Sequence, residues 1–190
     1  MVIDSKIFRQ RFASIVWANH AESYSVVIVG AGGIGSWLTL FLSRIGYRLH
    51  VFDFDDVDDS NIGGQFYSHQ FVGRKKITAL RDIIASFTGN NLKAYAKKVT
   101  ISDIVDVSHN ILVSCVDKMS ERKMLFDGFK RNNTIRLFID GRMNAEQFTV
   151  YFVTRDRMDD YEKTLYDDDE VPDEACTNKA TTHFGAGIAY

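Results

Sequence analysis

The chain has 190 residues, 45% of them apolar and 25% charged, with a formal net charge of −2. That is enough for one domain with a sizeable core and short for two, and so neutral a balance excludes the basic signature of a nucleic-acid or anionic-membrane binder. The two cysteines, Cys115 and Cys176, are too few for a disulfide framework or a tetrahedral zinc site.

No apolar run approaches the roughly 20 residues of a membrane span, and Met1-Val2-Ile3-Asp4-Ser5-Lys6 lacks the apolar core of a secretory signal. The expectation is a reduced, cytoplasmic protein without nucleic-acid or membrane partners.

Residues 4–20 predict an amphipathic helix with Ile7, Phe8, Phe12, Ile15 and Val16 on one face. Arg9 falls on or near its polar side, where an arginine is ordinarily solvated. Next comes a β-branched run, Val26-Val27-Ile28-Val29, leading into Gly30-Ala31-Gly32-Gly33-Ile34-Gly35. The helical pattern after it repeats at Leu38, Leu42 and Ile45. Strand, G-x-G-x-x-G turn and helix in that order make a nucleotide-binding βα unit, because glycines let the backbone approach a phosphate that then sits at a helix N-terminus.

A second strand, Arg48 to Phe52, ends in Asp53, about 20 residues past the turn, where an acid can accept ribose hydroxyls. The acidic tract Asp53 to Gln65 that follows would ordinarily be a solvated loop. Its place at a strand's carboxyl end, beside the phosphate turn, speaks for a functional loop instead.

Gly73-Arg74-Lys75-Lys76 opens a helix carrying Ile77, Leu80, Ile83, Ile84 and Phe87, which Gly89 stops. Lysines in a first turn oppose the helix dipole and hint at an anionic ligand. A strand around Leu92–Val99 follows, then Ile111 to Cys115, whose tip, Val116-Asp117-Lys118, should face the same crevice. Cys115 reads as core. A helix over 119–131 leads to strands at Ile135–Gly141 and Gln147–Val153.

From Arg155 to Glu174, ten acidic and three basic residues surround few apolar positions, with the only proline, Pro172, near the end. That composition predicts a loop or mobile crossover. The expected domain thus has an N-terminal helix over 4–20 and a nucleotide-binding core over 25–153. An acidic crossover over 155–175 and a C-terminal helix over 176–190 complete it. The fold class is α/β, Rossmann-like, with a mostly parallel central sheet flanked by helices.

The Gly30–Gly35 turn, the Asp53–Asn61 block with Gln65, the Gly73-x-x-Lys76 spacing and Cys115-x-Asp117 together resemble the ThiF/MoeB/ubiquitin-activating superfamily over roughly residues 6–153. The resemblance implies an ATP- and magnesium-dependent adenylyltransferase. Its substrate is the C-terminal glycine carboxylate of a ubiquitin-like or sulfur-carrier protein. It assigns the nucleotide to Gly30, Gly32, Gly33, Gly35, Asp55 and Gln65, the ribose to Asp53, the triphosphate to Asn61 and Lys76, and magnesium to Asp117.

The same resemblance makes Arg9 a finger reaching across a homodimer interface to the partner's ATP. Cys176 resembles the thioester-forming cysteine of some activating enzymes; a cysteine at a helix start has its thiolate favoured. Two positions depart from the family. Gly64 replaces an arginine and Lys118 an asparagine, so Arg74, Lys75 or Lys118 is left to supply the missing cation. Three alternatives stay open. They are carboxylate adenylation on a peptide or RNA without a thioester, a degenerate scaffold subunit, and, on the glycine turn and Asp53 alone, an NAD-dependent oxidoreductase.

Overall fold

A computed structural model describes residues 14–16, 20–106, 108–144, 147–170 and 187. Nearly all of the helices expected over 4–20 and 176–190, and with them Arg9 and Cys176, lie outside these residues.

Six strands form one sheet in the order β3-β2-β1-β4-β5-β6. They are β1 (Ser25–Val29), β2 (Arg48–Phe52), β3 (Lys93–Tyr95), β4 (Ile111–Ser114), β5 (Leu137–Asn144) and β6 (Gln147–Val153). All pair in parallel except β6, which runs antiparallel to β5. Every residue of β1 is buried, as a strand covered on both faces demands.

The helices account for that covering. Alternate side chains of β1 point to opposite faces. Val26 and Ile28 pack with Leu40 of α1 (Gly35–Ile45) and with Ile77, Leu80 and Ile84 of α2 (Lys76–Thr88). Val27 and Val29 pack with Ile104 of α3 (Ile101–Val105) and with Leu125, Phe126 and Phe129 of α4 (Met119–Arg131). The central strand β1 therefore lies between β2 and β4, so successive crossovers leave it in opposite directions. The carboxyl ends of β1 and β4 diverge there and open a crevice.

The turn of helix at α3 is not announced by hydrophobic period. Its cue is the Thr100–Asp103 capping box, in which Asp103 also accepts from the Thr100 amide at 2.9 Å.

The acidic crossover expected over 155–175 is, in its described part, ordered structure. A 3-10 turn (Arg155–Arg157), α5 (Met158–Glu162) and a second 3-10 turn (Asp168–Glu170) follow β6. Tyr161 is 3% exposed, its ring 4.8 Å from Phe126 and 5.3 Å from Phe138. Arg155 lies 4.1 Å over the Phe129 ring and donates to the carbonyls of Phe129, Asn132 and Ile135 at 2.9, 2.6 and 2.7 Å. One aromatic and one guanidinium anchor the segment, which average composition conceals.

At the amino-terminal edge of the sheet, Ser25 Oγ and His109 Nδ1 are 2.7 Å apart, and the rings of His109 and His50 meet edge-on at 4.5 Å. Burial, then the charges of His109, Lys93 and Arg48, pull His50 down to about 4. The folded value lies below the unfolded one near 6.5, so the fold favours the neutral ring; this stability is present above pH 6.5 and lost as pH falls toward 4. Urea unfolding at pH 7 and pH 4.5 should show a smaller acid loss for His50→Phe than for the wild type. Equal losses would refute this account.

Candidate nucleotide site

The glycine turn is held by contacts that only glycine permits. Gly30 has φ +92°, and a Cβ there would lie 2.4 Å from the Cys115 carbonyl oxygen. A Cβ at Gly35 would lie 1.9 Å from the Gly30 carbonyl oxygen. Gly35, expected among the nucleotide contacts, instead lies buried beneath the turn and lets α1 close on it. Gly32 has open space where its Cβ would be.

Gly35→Ala should therefore lower stability by about 1–3 kcal/mol through overpacking. Gly32→Ala should unfold like the wild type and weaken nucleotide binding alone. Thermal unfolding beside ligand titration separates the two. A stable Gly35→Ala variant would contradict the close-approach argument.

The tip of β2 latches this turn. Asp53 Oδ2 accepts from the Ala31 amide at 2.7 Å and Oδ1 from the Asp55 amide at 2.8 Å. Burial raises the Asp53 carboxyl above the ordinary carboxylate range, and the two amides and the Lys76 charge offset only part of that. Tyr67 is buried and its hydroxyl donates to the Ala31 carbonyl at 2.7 Å. Burial, then the charges of Asp53 and Asp55, push the phenol well up, so it remains a neutral donor. Lys76, the first residue of α2, is buried and donates to Asp55 Oδ2 at 2.9 Å.

These groups line a cleft of about 540 Å³ at the switch point, a volume within the range of small-molecule sites. Of the residues singled out in the sequence, Gly30, Gly32, Gly33, Asp53, Asp55, Gln65, Lys76 and Asp117 lie on its walls. Asn61 does not. Its carboxamide oxygen accepts from the Asp58 amide at 3.0 Å, closing a capping box on the short turn Asp59–Asn61. An asparagine three residues after an aspartate is also a capping signal, and here that local use prevails.

Cys115 lines the floor, where burial above all pushes its thiol up to about 12, so it is no nucleophile.

Motif reading did not single out Arg122, Lys97 or Lys98. Arg122 is buried on the cleft wall, donating to Asp140, to the Val116 carbonyl and, at 3.1 Å, to the Gly141 carbonyl. Only the fold brings Asp140 of β5 to it. Lys97 and Lys98 follow β3 directly, so their place at a strand tip was the available cue.

The walls fit an anionic nucleotide. Among the described residues five cationic side chains reach the cleft, and Gln65 Oε1 is buried without a hydrogen-bond partner. No group of three or more histidine, cysteine, aspartate or glutamate side chains could hold a metal among the described residues. An exposed Asp117 suits magnesium, which binds through one or two carboxylates together with phosphate oxygens and water.

The chain is similar to proteins of known name and structure. The chain is 27% identical over 128 residues to ubiquitin-like modifier-activating enzyme 5 of Caenorhabditis elegans, covering 60% of this chain and 30% of the relative. It is 30% identical over 108 residues to adenylyltransferase and sulfurtransferase MOCS3-1 of Zea mays, covering 54% and 23%. It thus spans about a third or less of the length of these relatives. The solved structure of Escherichia coli tRNA N6-threonylcarbamoyladenosine dehydratase TcdA, in complex with AMP, superposes with a TM-score of 0.68 at 17% identity, covering 100% of this chain and 96% of that one. The model of the ThiF family matches residues 11–189, and the chain belongs to that family.

Proposed function

We propose that this chain is an ATP-dependent adenylyltransferase acting on a carboxylate, with the C-terminal glycine of a ubiquitin-like or sulfur-carrier protein as substrate. The observation that carries the reading is the convergence of the glycine turn, Asp53, Lys76 and Asp117 on one cleft. The names of the two relatives, a modifier-activating enzyme and an adenylyltransferase, support it. The tRNA in the name of the TcdA structure prompts a second reading of the same chemistry, in which the carboxylate is carried on RNA.

In the proposed reaction a carboxylate oxygen attacks the α-phosphorus and the bond to the bridging oxygen breaks. Pyrophosphate leaves with the electron pair, and an acyl-adenylate remains. Charge develops on the phosphoryl oxygens, so catalysis rests on fixed donors and cations. Asp53 accepts from the ribose, the turn amides receive the phosphates, and Lys76 neutralises charge from a buried position. Magnesium, held at Asp117, would supply further charge neutralisation. Transfer of the acyl group to Cys176, an Arg9 finger across a homodimer and a cytoplasmic location belong to this proposal.

Calorimetric titration with Mg-ATP and with NAD, followed by ATP–pyrophosphate exchange with a glycine-ended carrier, tests it. Micromolar ATP binding and carrier-dependent exchange are expected. NAD binding tighter than ATP would overturn the reading, and a folded chain that binds no ATP would leave the scaffold alternative. Intact exchange without acyl transfer in Cys176→Ser would support the thioester step; full transfer by that variant would remove it.

A further inference from the structure

Four of the five cations on the cleft wall are engaged by carboxylates. Lys76 pairs with Asp55 at 2.9 Å, Lys97 with Asp103 at 2.6 Å, Lys98 with Glu121 at 2.8 Å, and Arg122 with Asp140. Lys118 has no carboxylate in ion-pair contact among the described residues, although the charge of Asp168 reaches it. It is also exposed.

Its position makes a lysine costly to α4. Lys118 is the N-cap residue, with extended φ −87° and ψ 135° and no side-chain cap hydrogen bond. Asparagine, aspartate or serine would cap the helix here, whereas a cation opposes the positive end of its dipole. The missing cap comes from far along the chain. Asp168 Oδ1 accepts from the amides of Met119 at 2.6 Å and Ser120 at 3.2 Å. Helix stability at position 118 is given up, and the cleft gains a cation with no carboxylate in ion-pair contact among the described residues.

The neighbouring alternatives are committed elsewhere. Arg74 pairs with Asp82 at 2.5 Å and Lys75 with Asp56 at 3.0 Å, both outside the cleft lining. Gly64 offers no side chain at all.

We infer that Lys118 is an anion-binding residue of this nucleotide site, its ammonium taking a phosphate oxygen of the bound nucleotide. The inference rests on the nucleotide reading proposed above. It explains why the helix is capped by a distant aspartate.

The test is calorimetric titration of the full chain with Mg-ATP, and displacement of ATP by adenosine, for the wild type, Lys118→Asn and Lys118→Arg. Asparagine restores a good N-cap, so that variant should melt no lower than the wild type. Its ATP affinity should fall about tenfold or more while adenosine stays within about twofold, and Lys118→Arg should keep most of the ATP affinity. Unchanged ATP binding in Lys118→Asn, or an equal loss for adenosine, would overturn the inference alone. A wild type that binds neither ligand would overturn the nucleotide reading and this inference with it.

Discussion

Replacing Asp53 with alanine is expected to weaken Mg-ATP binding by roughly 100-fold or more, because hydrogen bonds to a charged acceptor are each worth about 1.5–3 kcal/mol and the ribose offers two hydroxyls. The residue also latches the glycine turn, since it accepts from the amides of both Ala31 and Asp55. Ala31 is wholly buried, so its orphaned N–H should cost a further 1–3 kcal/mol or so of stability. At about 2–4 °C per kcal/mol for a domain of this size, melting should fall by several degrees.

Asparagine is not a mild replacement here. Its amide end would face one of the two N–H donors. Asp53→Asn should therefore lose affinity as well, whereas an acid that merely added negative charge to the cleft could be replaced without loss. Near wild-type ATP affinity in Asp53→Asn would show that the carboxylate is no ribose acceptor.

The parts of this molecule legible in its sequence are those whose signals are local. The β-branched run into the glycine turn, the acid at the tip of β2 and the 119–131 helix each carry their cue within a few residues. Asp53 could be placed by counting from the turn, and Asp117 by its position past a buried strand. Arg122 could not, because its partner Asp140 lies on the next strand of the sheet.

Asn61 illustrates a conflict between two readings of one residue. A polar side chain in an acidic block can serve a ligand or cap a turn, and the neighbouring Asp58 decides for the cap. In the acidic segment the average composition hides the anchoring residues. Ten acids and little apolar surface predict a loop, yet Tyr161, Arg155 and Asp168 tie it to α4 and the core.

That segment also feeds the most heavily charged buried cluster in the described fold, where the largest stability effect is expected. Asp140 is fully buried and pairs with Arg122 and, at 2.6 Å, with Arg142; the Tyr161 hydroxyl donates to it at 2.9 Å. Asp140→Ala leaves two guanidinium groups, with side chains only 7% and 15% exposed, facing each other without a counterion. Breaking such a pair from one side costs about 3–5 kcal/mol, or roughly 6–20 °C in melting temperature.

Arg122→Met should cost less. Asp140 keeps Arg142 and Tyr161 as partners, and a thioether of similar length fills the space. Its effect should instead appear at the cleft, where the Val116 and Gly141 carbonyls lose the donor that fixes them beside Asp117. The expected pattern is a crossed one in urea unfolding and ATP titration: Asp140→Ala is the less stable protein, and Arg122→Met loses more affinity than its small stability change explains. If Arg122→Met proves as unstable as Asp140→Ala, the charge count in this cluster does not govern its energetics.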